Sequence, residues 1–142
     1  MAKVRGLDRL LKKLGRLEKT AAKRVVRKAI RAGTTIVGKA IKAETPVDQG
    51  KLKKAQTTRV TSRRNRATGV AGADQDKLNA DAEGGKRPSN IDWLVDQGHV
   101  APDGTVIPPS GYHRRAEDKA MPAAVAAMEK KLAEEIEREA SK

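Results

Sequence analysis

Residues 45–52 read T-P-V-D-Q-G-K-L, and this stretch marks where a long basic helix must stop and a new element begin. Pro46 cannot extend the preceding helix, Asp48 carries a side chain able to cap a new turn, and Gly50 permits a backbone conformation that other residues resist. Pro46, Val47, Asp48, Gly50 and Leu52 are therefore expected to form a fixed corner that sets the angle between helix and sheet.

On the N-terminal side of the corner, Ala22, Val25, Val26, Ala29, Gly33, Ile36, Val37 and Ala40 mark one face of a helix from about Thr20 to Ala43. Small residues on that face allow close packing against another element. Further upstream, Val4, Leu7, Leu10, Leu11, Leu14 and Leu17 recur at spacings of three and four, which predicts an amphipathic helix over residues 3–18 with Lys and Arg outside. The pattern leaves open whether the two helices are continuous or break between Gly15 and Thr20.

Beyond the corner, the β-branched Thr57, Thr58, Val60 and Thr61 and the stretch 67–73 predict a hairpin over residues 56–73. Arg63, Arg64, Asn65 and Arg66 would form its tip. Residues 74–90 are polar and Gly-rich and read as a long mobile loop, expected to order against a neighbour. Ile91, Trp93 and Val95 alternate as in a strand, while Ile91, Leu94 and Val95 share a helical face, so both forms remain open. Turn residues from Pro102 to Gly111 bracket a short strand at Thr105–Ile107. The last helix is expected to begin near Pro122, with a turn through Arg114 to Ala120 as the alternative. Its buried stripe would be Met121, Val125, Met128, Leu132 and Ile136, supported by a Glu134–Arg138 pair. The fold class is thus α+β: a long basic N-terminal helix or helix pair, a small antiparallel sheet, and a C-terminal helix packed on the sheet. It is read as one structural domain, 1–142, with a basic helical region at 1–44, the corner, strands and polar loop at 45–111, and the C-terminal helix at 112–142.

Composition limits how such a fold is stabilised. Leu, Ile and Val number 26 and Phe is absent, about 18% of the 142 residues, beneath the roughly 20% at which high net charge points towards disorder. One Trp and one Tyr provide no aromatic cluster. Full order is therefore expected to draw on neighbouring subunits. Zero cysteines exclude a disulfide framework and any Cys-based zinc site. No secretory signal and no apolar run of membrane-spanning length is visible, so a soluble protein made in a cytoplasm is expected. The net charge of +13 is divided unevenly: residues 1–66 carry +17 and residues 67–142 carry −4. That asymmetry suits nucleic acid, an acidic partner, or repeated contact between unlike halves of neighbouring copies.

Catalytic, cofactor-binding and metal-ligating residues are not expected. His99 and His113 lack paired-ligand spacing and read as loop or interface residues. Asp92 and Asp96 share a helical face without a nearby nucleophile and are expected to be solvated. Gly84-Gly85-Lys86 lacks the spaced glycine and the hydroxyl residue of a phosphate-binding loop. Lys23, Arg24, Arg27, Lys28 and Arg31 on the second helix, with Arg63, Arg64 and Arg66 at the hairpin tip, are the candidate contacts to DNA or an acidic partner. The near absence of aromatics removes the stacking platforms that single strands use. Residues 3–18 lack the Trp or Phe anchors of a membrane-surface helix, which favours packing against protein.

The corner resembles the P-V-D-T-G-x-L signature of a family of tailed-phage minor tail proteins, the tail-completion, head–tail joining or neck proteins; Gln49 stands where the signature has Thr. Element order agrees. Residues 93–98, from Trp93 to Gly98, occupy the place of that family's apolar-Glu-Phe-Gly run, and Pro122-Ala123 that of its Pro-Ala step. The resemblance implies a non-enzymatic virion subunit without cofactors, made in the host cytoplasm and located at the head–tail junction. It also implies a homo-oligomeric ring of sixfold or twelvefold symmetry between head-side connector or stopper proteins and tail-tube or terminator proteins, around a bore crossed by genomic DNA. The alternative reading is a small basic architectural nucleic-acid-binding protein; a ribosome-associated basic protein is a third.

Overall fold

The computed structural model describes residues 6–48, 50–63, 66–80 and 91–142. It is α+β, in the order α1 (Leu7–Leu14), α2 (Lys19–Glu44), α3 (Lys51–Ala55), β1 (Gln56–Arg63), β2 (Arg66–Ala73), α4 (Gln75–Ala80), α5 (Ile91–Gln97), β3 (His99–Val100), β4 (Val106–Ile107) and α6 (Tyr112–Ala140). β1 pairs with β2 in one two-stranded sheet and β3 with β4 in a second. In the second sheet His99 lies opposite Ile107 and Val100 opposite Val106, antiparallel.

The two N-terminal helices are separate: α1 closes at Gly15, and the amides of Arg16 and Leu17 bond to Lys13 and Leu14 in a tightened last turn. A one-turn helix, α3, stands between the corner and the first strand. The candidate strand 91–95 resolves as helix α5. β3, which pairs with the expected strand near residue 106, had no signal of its own.

Two expectations are corrected. Helix α4 occupies the start of the segment 74–90 read as a mobile loop. The Asp74 carboxylate accepts the amides of Asp76 and Lys77, satisfying first-turn donors, and Leu78 supplies one fully buried anchor. Residues 81–90 of that expected loop lie outside the described residues. The last helix spans Tyr112–Ala140, in keeping with the C-terminal helical region drawn at 112–142, but its expected start near Pro122 is ten residues late: Pro122 sits inside it. Ala116, Ala120 and Ala124 take buried positions at helical spacing, whereas Met121 of the expected stripe is exposed; Ile136 is buried and Val125, Met128 and Leu132 are half-buried. Arg138 meets Glu135 at 4.0 Å, on the neighbouring face to the expected Glu134.

Contacts divide the chain into two compact units. The first comprises Met1–Ile36, Arg59–Val70 and Pro122–Lys142. Val25, Ala29, Ala124 and Ile136 are its buried apolar residues together with Ala21. Gly33 of α2 lies so close to Met128 of α6 that a Cβ there would sit 2.5 Å from its Cγ, the close approach that the small residues of α2 were expected to permit. Each buried alanine contributes little transfer energy, so Val25 and Ile136, at about 1.5–3 kcal/mol apiece, carry much of what holds this unit.

The second unit comprises Val37–Thr58 and Ala71–Met121. Ile41, Tyr112 and Ala116 form its core, with Val37, Ala40, Ala71 and Val95 packed around them. The only tyrosine of the chain is fully buried here. Its hydroxyl is satisfied by Asp92, to which it donates, and lies 3.4 Å from the Gln56 amide.

Candidate functional site

Helix α2 ends at Glu44, and Thr45 turns its hydroxyl back to the Ile41 carbonyl at 2.6 Å, a second donor to an oxygen that already accepts the Thr45 amide at 2.8 Å. A carboxylate at a helix C-terminus faces the negative end of the dipole. Glu44 is nevertheless ionised, because Lys119 first and Arg115 second, both on α6, donate to it and hold its carboxyl below the ordinary range. The chain then passes through Pro46, Val47 and Asp48, all exposed. Gly50 adopts φ 73° at the start of α3, with no side-chain cap, and its carbonyl accepts the Lys54 amide at 3.0 Å. The left-handed residue at the corner is the one the sequence offered, while the capping position belongs to Gly50 and not to Asp48. Leu52 is half-buried, and Gln49 lies outside the described residues.

The five cations of α2 separate into two groups. Arg24 and Lys28 face α6, where Lys28 Nζ meets Glu135 Oε2 at 2.6 Å and Arg24 lies 3.9 Å from Glu139. Lys28 lowers the Glu135 carboxyl, desolvation opposes it, and Lys131 adds to the lowering. Lys23, Arg27 and Arg31 recur every four residues along another stripe, are exposed, and pair with no carboxylate among the described residues. Arg63 ends β1 and Arg66 opens β2, both exposed; Arg64 lies outside the described residues. Thus part of the basic helix finds its acidic partner in its own chain. That pairing spans more than a hundred residues and leaves no local sequence signal.

Between α1, α2 and the β1–β2 sheet, the first unit holds a groove of about 210 Å³. Leu14, Ala22, Val26 and Ala67 make its apolar floor, and Lys19, Lys23, Arg66 and the Ser62 hydroxyl line its rim. Sequence reading placed Lys23 and Arg66 on separate elements and offered no means of bringing them together.

The second unit corrects another expectation: Asp92 and Asp96 are not on a solvated face. Asp96 is buried, and its Oδ1 accepts the backbone amide of His113 at 3.0 Å, its Oδ2 the Gln97 side-chain Nε2 at 2.7 Å. It caps the first turn of α6 from a different helix, placing a carboxylate where the α6 dipole is positive. Asp92 accepts from Tyr112 Oη and Gln56 Nε2 and lies 3.0 Å from His113 Nε2. Burial of the aromatic ring and of Gln56 draws these carboxylates inwards. The cluster joins α5, β1 and α6 and does structural work. Among the described residues no group of His, Asp and Glu is arranged to hold a metal ion, and no helix is long and apolar enough to cross a membrane.

The profile of the HK97-gp10-like family, described as "Bacteriophage HK97-gp10, putative tail-component", matches residues 8–80, just over half of the chain. The chain belongs to the HK97-gp10-like family. This bears out the resemblance to tailed-phage tail and neck proteins that the corner carries, and a tail component acts in a virion among other virion proteins. The family match runs from α1 through α4, so it takes in the corner, the basic stripe and the whole lining of the groove; α5, β3, β4 and α6 lie beyond it. No curated protein and no solved structure matches the chain.

Proposed function

We propose that this HK97-gp10-like protein is a tail-completion or neck subunit, one of a ring of identical copies that joins the head connector to the tail tube. The observation that carries the reading is the match of residues 8–80 to a family of phage tail components. Its work is geometric, without turnover: it presents one surface to head-side connector or stopper proteins and another to tail-tube or terminator proteins. A ring of one chain needs two different, complementary surfaces, and the unequal charge of the two halves of the sequence supports that. The corner from Pro46 to Leu52 sets the direction in which the chain leaves α2. The free stripe of Lys23, Arg27 and Arg31 faces acidic neighbours or DNA in transit. Quantitative mass spectrometry of purified, nuclease-treated particles tests the proposal. About six or twelve copies per particle, retained in high salt, agree with a ring; absence from particles refutes it.

The same stripe favours a second reading, a small architectural nucleic-acid-binding protein, because three neighbouring cations that pair with no carboxylate among the described residues form an electrostatic footprint for phosphates. Recovery of the chain with the nucleoid of infected cells, and not with particles, is the outcome that reading requires.

A further inference from the structure

We infer that the β3–β4 finger of one copy docks in the α1–α2–sheet groove of the next. This rests on the ring reading and names the contact that closes it. On the finger Val100 is 65% exposed and Val106 72%, the two highest exposures of large apolar side chains among the described residues. The two stand directly opposite each other across the ladder, so their side chains lie together on one face. With the adjoining Ile107, 39% exposed, they form an apolar patch, the kind of surface that marks an interaction site as it grows.

The finger is also preorganised, which lowers the ordering cost of binding. At its tip Gly104 adopts φ 85°, the Ala101 amide bonds to the Thr105 carbonyl at 2.8 Å, and Asp103 Oδ1 accepts the Thr105 amide at 2.9 Å. At its root Gly98, φ 76°, packs against the backbone of Ile107 and Pro109. A rigid two-valine knob with a carboxylate at its tip is thus held out from the second unit. The groove is its complement in both respects. Leu14, Ala22 and Val26 provide an apolar floor, Lys23 and Arg66 a cationic rim for Asp103, and its volume of about 210 Å³ exceeds the roughly 150 Å³ that accepts a benzene ring, enough for a pair of valine side chains. Knob and groove are different surfaces, so the contact is head-to-tail and propagates or closes as a ring does. One knob in one groove falls well short of the about 1,200 Å² of a standard stable interface, so free copies associate weakly and a closed ring gains from each copy being held on two sides.

The absence of cysteine makes the test clean. Ser62→Cys in the groove rim and Val106→Cys on the finger are made in separate full-length chains, mixed at high concentration and treated with a short bismaleimide. The expected result is about tenfold more covalent heterodimer than from Val106→Cys mixed with a Lys130→Cys control on α6, the ratio that a preference of about 1.4 kcal/mol gives. Asp103→Lys on the finger chain should lower that yield, and Lys23→Glu on the groove chain should restore it. Equal yields from the two mixtures overturn the contact. So does protection of the Ser62→Cys thiol by duplex DNA without heterodimer, which assigns the groove to nucleic acid. Particle copy number is measured independently, so six or twelve copies together with equal cross-linking leave the ring standing and remove only this contact.

Discussion

Replacing Gly98 by alanine combines two penalties that Gly104 separates. Both have positive φ, 76° and 85°, but a Cβ on Gly104 meets nothing within 4 Å, whereas one on Gly98 would lie 2.7 Å from the Ile107 carbonyl oxygen and from Pro109 N. G104A should therefore cost only the left-handed strain of about 1–2 kcal/mol. G98A should cost at least about 1 kcal/mol more, since backbone atoms cannot yield as side chains do; equal urea midpoints for the two variants would count against the packing at the finger root. Two residues earlier, Asp96 holds the start of α6 through the His113 amide. D96A should destabilise by about 1–2 kcal/mol, the worth of a cap, while D96N, which keeps an acceptor and loses the charge, should cost about 0.3–1 kcal/mol. Denaturant titration of the pair separates hydrogen bond from dipole. Gly104 was legible in the sequence as a turn residue, but the left-handed Gly98 and the burial of Asp96 were not, because the backbone that Gly98 packs against and the amide that Asp96 caps lie on other stretches of the chain.

Among the elements, α2 was the most legible and α6 the least, for physical reasons. Helix α2 carries a periodic apolar face and a proline just beyond its last turn, both local signals. Helix α6 begins where Gly111 and a distant carboxylate permit it, and its buried line is alanine, which periodicity scarcely registers against the alanines around it. Pro122 was read as a start because proline favours a first turn, yet it sits inside α6 and lacks the amide that would reach Asp118. It is also where the contacts of the chain pass from the second unit to the first. Pro122→Ala restores that amide and should therefore raise the urea midpoint; an unchanged or lowered midpoint would show that the missing hydrogen bond costs the helix nothing. The α2–α6 pairing has its own readout in acid. Glu135 titrates below the ordinary glutamate value of 4.5 because Lys28 stabilises its charged form. Its contribution is then fully present above that value and lost as pH falls through the lower folded value. Glu135→Gln should flatten the acid limb of stability against pH below 4.5, with Lys28→Met doing the same; unchanged limbs in both would show that the pair carries no stability.

Across the whole molecule, net charge is a poor guide to what the protein presents to a partner, because neutralisation is internal for some cations and not for others. Arg24 and Lys28 lie beside Glu139 and Glu135, and Arg115 and Lys119 beside Glu44. Lys23, Arg27 and Arg31 have no such carboxylate among the described residues. Binding to phosphates releases counterions only from cations that are free to replace them, so the two groups should differ in one measurable slope. For a short duplex DNA, the triple substitution of Lys23, Arg27 and Arg31 by glutamine should reduce the slope of log affinity against log salt by up to about 2.7, three contacts at roughly 0.9 each. Arg24→Gln with Lys28→Gln should change it by much less than the about 1.8 that two free cations would give, and Glu135 and Glu139 keep Lys131 and Lys142 as partners. If the two sets lower the slope equally per residue, the internal pairs do not persist in solution, and the division of α2 into an occupied and an available stripe fails. If the triple variant loses its slope but still forms tailed particles, the available stripe serves nucleic acid and not a protein neighbour.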